Sequence, residues 1–192
     1  MKTILRSMQR KNSGISREIL PVFEDIITKY EAKGTPSLGH QCDKEFAEAM
    51  ESHLTTEQRF EIYAKHGACK GTSHDGDRKD FAQAHAHLEL KDRIALYNPN
   101  ALIVEPNLIV MEFSCSHGYY RIMRNKGIDI PLPPLKPYFE RCAGGRLYEL
   151  EKALGIKLKI KSVDVSSLEE NIDNPVVFTF EIFSDTSETF HF

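Results

Sequence analysis

The chain has 192 residues and a mass of 21.9 kDa, the size of one domain. Its 41% hydrophobic and 28% charged residues exclude a disordered tail, a collagen-like rod and a disulfide-dense miniprotein. A net charge of −3 gives no global attraction to nucleic acid or to an anionic membrane.

The elements follow in chain order. Residues 1–14 are basic with no apolar run behind them, so they read as a loosely held arm and not as a secretory signal. From Ile15 to Tyr30 the apolar residues Ile19, Phe23, Ile26, Ile27 and Tyr30 keep helical spacing. Gly34 to His40 reads as a turn-rich linker. Asp43 to His53 is a helix, and Thr55 with Gln58 forms a capping box for another that runs to His66. Gly67 to Gly76 is a loop. A single longer helix is predicted from Asp77 to Leu96, with Phe81, His85, Leu88 and Asp92 on one stripe, stopped by Asn98-Pro99-Asn100.

Then the period changes. Ala101–Glu105 and Leu108–Cys115 alternate like strands about Pro106-Asn107, which predicts a hairpin. Pro131, Pro133, Pro134 and Pro137 make the next stretch extended. A helix from Tyr138 to Leu154 follows, with Gly155 as its cap. It contains Gly144-Gly145, where each glycine costs about 1 kcal/mol against alanine. Lys157–Val165 alternates, with Leu158, Ile160 and Val163 inward and the lysines outward. The last strand, Pro175–Phe183, sets Val176, Phe178, Phe180 and Ile182 on one face. The class is α+β: N-terminal helices packed on a mainly antiparallel four-stranded sheet, with one helix inserted between strands. We expect a single domain over 1–192, with a helical part at 15–97 and a sheet-containing part at 98–192.

No stretch approaches the about 20 apolar residues of a membrane-spanning helix, and a cytoplasmic protein is expected. Cys42, Cys69, Cys115 and Cys142 form no CxxC pair, so neither a zinc ribbon nor a thioredoxin-like motif is present. P-loop, GxGxxG and GxSxG motifs are absent too.

Chemistry concentrates in two places. Cys115-Ser116-His117-Gly118 ends a strand, and residues two apart on a strand share a face. An imidazole there would lower the thiol pKa, making Cys115 a nucleophile with His117 as its base, or the two a pair of metal ligands. The bland reading is a buried cysteine beside a loop histidine. The second place is the loop GACKGTSHDG after His66, which carries Cys69 and His74. With Cys115 and His117 these would give four ligands for zinc or iron, provided the loop and the strand end meet. Backbone N–H groups between Gly67 and Gly71 would otherwise serve a developing oxyanion. Tyr119 and Arg121 suit an anionic ligand, because arginine matches carboxylates with two hydrogen bonds. His85 lies two residues from His87, which is not metalloprotease spacing; sharing a stripe with Phe81 and Leu88, it reads as a satisfied core histidine before a ligand-binding one.

The run CSHGYY from Cys115 to Tyr120, a helix, GIKLKIKSVDVSS and the closing PVVFTFEI strand resemble the C-terminal half of the L-2-amino-thiazoline-4-carboxylic acid hydrolase-like proteins. These look in turn like vinyl-reductase-type small-ligand domains. The HGAC segment ending at Cys69 is similar to a helix–loop cysteine in some of their relatives. The resemblance implies an α+β domain enclosing a small organic ligand between helices and sheet. The chain departs from the pattern at Asn171–Asn174, which lacks the expected glycine, and near Val177, which stands where a cysteine is often found. The expected function is hydrolysis of a small C–N or C–S compound through Cys115 and His117; the alternative is a non-catalytic domain binding a small ligand or a metal. The expected partners are a small organic molecule and, at most, further copies of the chain in a homo-oligomer.

Overall fold

The computed structural model describes residues 1–10, 13–31, 36–115, 132–171 and 173–183. The basic arm is in fact a helix, α1 (Lys2–Met8). Ile4, Leu5 and Met8 fall on one face and are buried, while Lys2 and Arg6 face water, and Lys2 Nζ reaches Glu31 at 2.6 Å. The charges that suggested an arm are the outer face of an amphipathic turn.

Helix α2 (Leu20–Glu31) starts later than predicted and carries Pro21 in its first turn, where a missing N–H costs nothing. Helix α3 (Pro36–His53) begins inside the expected linker, with a proline again at its start. In α4 (Thr56–His66) the capping box is present: Gln58 N–H donates to Thr55 Oγ1 and Thr55 N–H to Gln58 Oε1.

The long helix predicted from Asp77 to Leu96 is two. After a 3-10 turn at Thr72–His74 come α5 (Asp75–Ala84) and α6 (Leu90–Tyr97). The break is made at His85: its backbone N–H donates to Phe81 O, and its ring Nδ1 lies 2.9 Å from the same oxygen. Glu89 then takes extended backbone and opens the next helix. The apolar stripe runs through the break, which is why periodicity did not register it.

The sheet side matches the sequence closely. Strands β1 (Ala101–Glu105), β2 (Leu108–Phe113), β3 (Leu158–Asp164) and β4 (Val176–Ile182) form an antiparallel sheet in the order β1-β2-β4-β3. Helix α7 (Leu135–Leu154) is inserted between β2 and β3, and short α8 (Ser166–Glu170) between β3 and β4. The register shifts between Ile160 and Ser162, so the inward side of β3 passes from Leu158 and Ile160 to Val163. Gly155 closes α7 with φ +64°, a conformation that an L side chain resists. Among the described residues this is an α+β fold with helices preceding the sheet.

Two apolar cores result. The sheet-side core joins Ile109 and Met111 of β2, Phe139, Leu147 and Leu150 of α7, and Phe178 and Phe180 of β4. The helix-side core joins Ile4, Met8, Phe23, Phe46, Met50 and Tyr63. Their seam is the crossing of α4 and α7. A Cβ at Gly144 would stand 2.0 Å from Tyr63 O, one at Gly145 1.7 Å from Ala68 O, and one at Gly67 2.1 Å from Gly144 C. The glycines inside α7 are therefore required by the close backbone approach. Beside them lies a buried ion pair: Arg59 Nε donates to Glu140 Oε2 at 2.6 Å and Nη2 to Oε1 at 2.8 Å. Arg59 Nη1 also donates to Leu54 O.

Candidate functional site

A cavity of about 380 Å³ opens where α1, α3, the end of α4 and the start of α7 meet. Helical spacing on α3 turns Asp43, Phe46 and Ala47 toward it, and on α7 it turns Pro137, Tyr138 and Arg141. Ile4 of α1 and Pro133 add apolar wall, and Tyr63 comes from the last turns of α4. The segment Gly67-Ala68-Cys69 closes another side.

That segment is held from α7. Ala68 N–H donates to Arg141 O at 2.8 Å, and Arg146 Nη2 donates to Cys69 O at 2.9 Å. Cys69 is exposed and sits at φ +55°, left-handed backbone that costs a non-glycine residue about 1–3 kcal/mol. Because the Ala68 N–H is already spent on Arg141, this loop does not offer the free row of amide donors expected from its glycines.

The polar groups of the wall are unevenly satisfied. Tyr63 is buried at 3% exposure, and its hydroxyl makes no hydrogen bond among the described residues. Burial, with Glu140 nearby, pushes its phenol well above the ordinary tyrosine range, so it stays a donor. Arg141 Nε is buried without a hydrogen-bond partner, a state that costs about 1–3 kcal/mol. Asp43 is half-buried and His40 is exposed.

The residues singled out from sequence are scattered. Cys69 lines the cavity. Cys115 is buried in the sheet-side core, where it hydrogen-bonds with Cys142. That bond and burial push the Cys142 thiol well up, and Cys69 adds to the effect. His74 is exposed, with Nδ1 3.3 Å from Asp77 Oδ2, and does not line the cavity. His85 stacks on Phe81 with ring centroids 4.3 Å apart. It is occupied by that ring and by the Phe81 carbonyl. His117, Tyr119 and Arg121 lie outside the described residues. Among the described residues no group of three or more His, Cys, Asp or Glu side chains is placed to hold a metal, so the four-ligand zinc or iron site is not assembled there. None of the four cysteines is in a disulfide.

Sequence reasoning missed Tyr63 and Arg141, which lie on different helices and share no motif. One signal was present: Gly144-Gly145 inside a helix marks a place where another backbone comes close, and the cavity lies next to that crossing.

Comparison with family models, with curated proteins and with solved structures gave no match for this chain. Among the described residues no helix is long and apolar enough to cross a membrane.

Proposed function

We propose that the protein binds a small organic molecule in the cavity between α3, α4 and α7. The carrying observation is the cavity itself: about 380 Å³, walled by Ile4, Phe46, Ala47, Pro133 and Pro137, with a few polar groups converging on it. That volume and that balance of apolar wall to polar anchors are what small-ligand sites require. Small-molecule screening by amide chemical shift tests the reading. Hits are expected to move Phe46, Gly67 and Ala68 and to be lost in Ala47→Phe, which fills the space. Hits that map elsewhere, or that survive the filling, would overturn it.

A second reading, hydrolysis of a small C–N or C–S compound through a cysteine, is favoured by one observation. Cys69 presents an exposed thiol on the cavity wall, on backbone held in a costly conformation. Cys115, paired with His117 in the sequence, is buried beside Cys142. Alkylation with iodoacetamide near neutral pH separates the cases. Fast labelling of Cys69, slowed by a cavity ligand, supports thiol chemistry there. Fast labelling of Cys115 returns the role to the Cys115–His117 pair. Slow labelling of all four thiols removes cysteine chemistry.

A further inference from the structure

We infer that the ligand of this cavity carries an oxyanion group, a carboxylate or a phosphate monoester on an apolar body, received by the Arg141 guanidinium and the Tyr63 hydroxyl. This rests on the cavity being a binding site and goes on to name the chemistry of what binds.

The chain supplies its own control. The other arginines that pack inward each donate to protein oxygen. Arg59 reaches Glu140, Leu54 O and Thr56 Oγ1. Arg78 reaches Asp75, Glu149 and Gly71 O, Arg93 reaches Leu154 O, and Arg146 reaches Glu149 and Cys69 O. Arg93 leaves its Nε unpaired but still donates through Nη1, whereas the Arg141 guanidinium makes neither a hydrogen bond nor a salt bridge with any described residue. Tyr63 brings a second donor to the same wall, a hydroxyl bonded to no described residue. Two donors on one cavity wall, neither bonded to a described residue and one of them a permanent cation with a planar fork, suit an acceptor from outside the chain. An oxyanion matches that fork, and the bond is charge-assisted.

The surroundings decide what the oxyanion is attached to. The rest of the wall is mainly carbon, so a bare inorganic ion would leave most of the cavity unfilled. Asp43 is the acidic group on the wall; it belongs to α3, is half-buried, and stands with the exposed His40. Its charge and that of Glu140 both act on Tyr63, and the Arg141 guanidinium opposes them there. The anionic end is therefore assigned to the α4–α7 side.

The test compares probes of one shape by calorimetry and amide shifts: benzoate, phenyl phosphate, benzyl alcohol and inorganic phosphate. Benzoate or phenyl phosphate should bind at least about tenfold tighter than benzyl alcohol, and the better of the two identifies the oxyanion. Arg141→Met should remove most of that advantage by weakening the anion far more than benzyl alcohol, and Tyr63→Phe should weaken the anion about threefold. Equal affinity for benzoate, phenyl phosphate and benzyl alcohol would overturn the oxyanion assignment and leave the cavity reading standing. Inorganic phosphate binding as tightly as phenyl phosphate would reduce the site to an adventitious ion only and overturn it as well. No binding by any probe would overturn both. If Arg141→Met does not fold, the wild-type comparison still decides, with Arg141→Lys keeping the charge and removing the fork.

Discussion

The two cores of this protein are held together differently. On the sheet side, long apolar side chains do the work: Phe139, Phe178 and Phe180 are fully buried, and α7 lays Leu147, Leu150 and Leu154 along the strands. On the helix side the buried set is smaller and more flexible in shape, with Met8 and Met50 beside Phe23 and Phe46. Between them Phe60 and Ala64 of α4 pack against the sheet-side core, but the seam has a second component. It is made of backbone against backbone at Gly67, Gly144 and Gly145, and of the Arg59–Glu140 pair. A cavity lies where the well-filled core gives way to the looser one. Close packing thus fills the sheet side, and the cavity is left on the side where helices meet with fewer large residues.

The largest effect should come from the sheet side. Phe178→Ala empties a fully buried ring position and should cost about 3–5 kcal/mol in urea unfolding. Hydrogen exchange on the same variant sharpens the comparison. Equal loss of protection in both halves means that the seam makes them one cooperative unit; loss confined to α7 and the strands means that it does not.

Glu140→Ala attacks the seam directly by stranding the Arg59 guanidinium, and should cost about 3–5 kcal/mol. A paired replacement, Arg59→Met with Glu140→Leu, should recover most of that loss in the same unfolding measurement. If the double variant is no more stable than the single one, the pair does more than offset its own burial.

On the helix side, Thr55→Ala removes the acceptor for Gln58 N–H and should lower stability by about 1 kcal/mol. A larger loss would mean that the Gln58 bond to Gly14 O depends on the box.

The smallest effect is on pH dependence. The Tyr148 hydroxyl donates to Asp75, and Arg78 adds a second bond, so the Asp75 carboxyl is held below the usual aspartate range. A depressed folded pKa stabilises the fold above the unfolded value, about 3.9, and that contribution is lost as pH falls through the lower folded value. Asp75→Asn should therefore make the acid limb of stability shallower below about pH 4, read from urea midpoints at pH 2–6. An unchanged limb would show that the contact is not maintained in solution.

What the sequence made legible was whatever rests on local pattern. The hairpin, the Thr55–Gln58 box, the Gly155 cap and the inward faces of β3 and β4 depend on periods and on residues close in the chain. Helix α1 was hidden because Lys2, Arg6 and Arg10 dominate the composition of a segment whose three apolar residues occupy one face. The α5–α6 break was hidden because it depends on what the His85 ring does with a carbonyl, not on hydropathy. The site was the least legible part. Cys115 and His117 were chosen for adjacency in the chain, whereas the cavity gathers Tyr63, Cys69 and Arg141 from different elements through a helix crossing that leaves only a glycine pair as its trace.

That crossing also governs how the molecule would answer two kinds of mutational survey. Truncation to alanine ranks a residue by the atoms it loses, and Gly67, Gly144 and Gly145 have no side chain to lose. Such a survey would score Phe178 and Glu140 and pass over the place where the two halves touch. Only a survey that adds a methyl group at each position would find it, because there the tolerance of the chain is set by the space the residue leaves open to its neighbour's backbone.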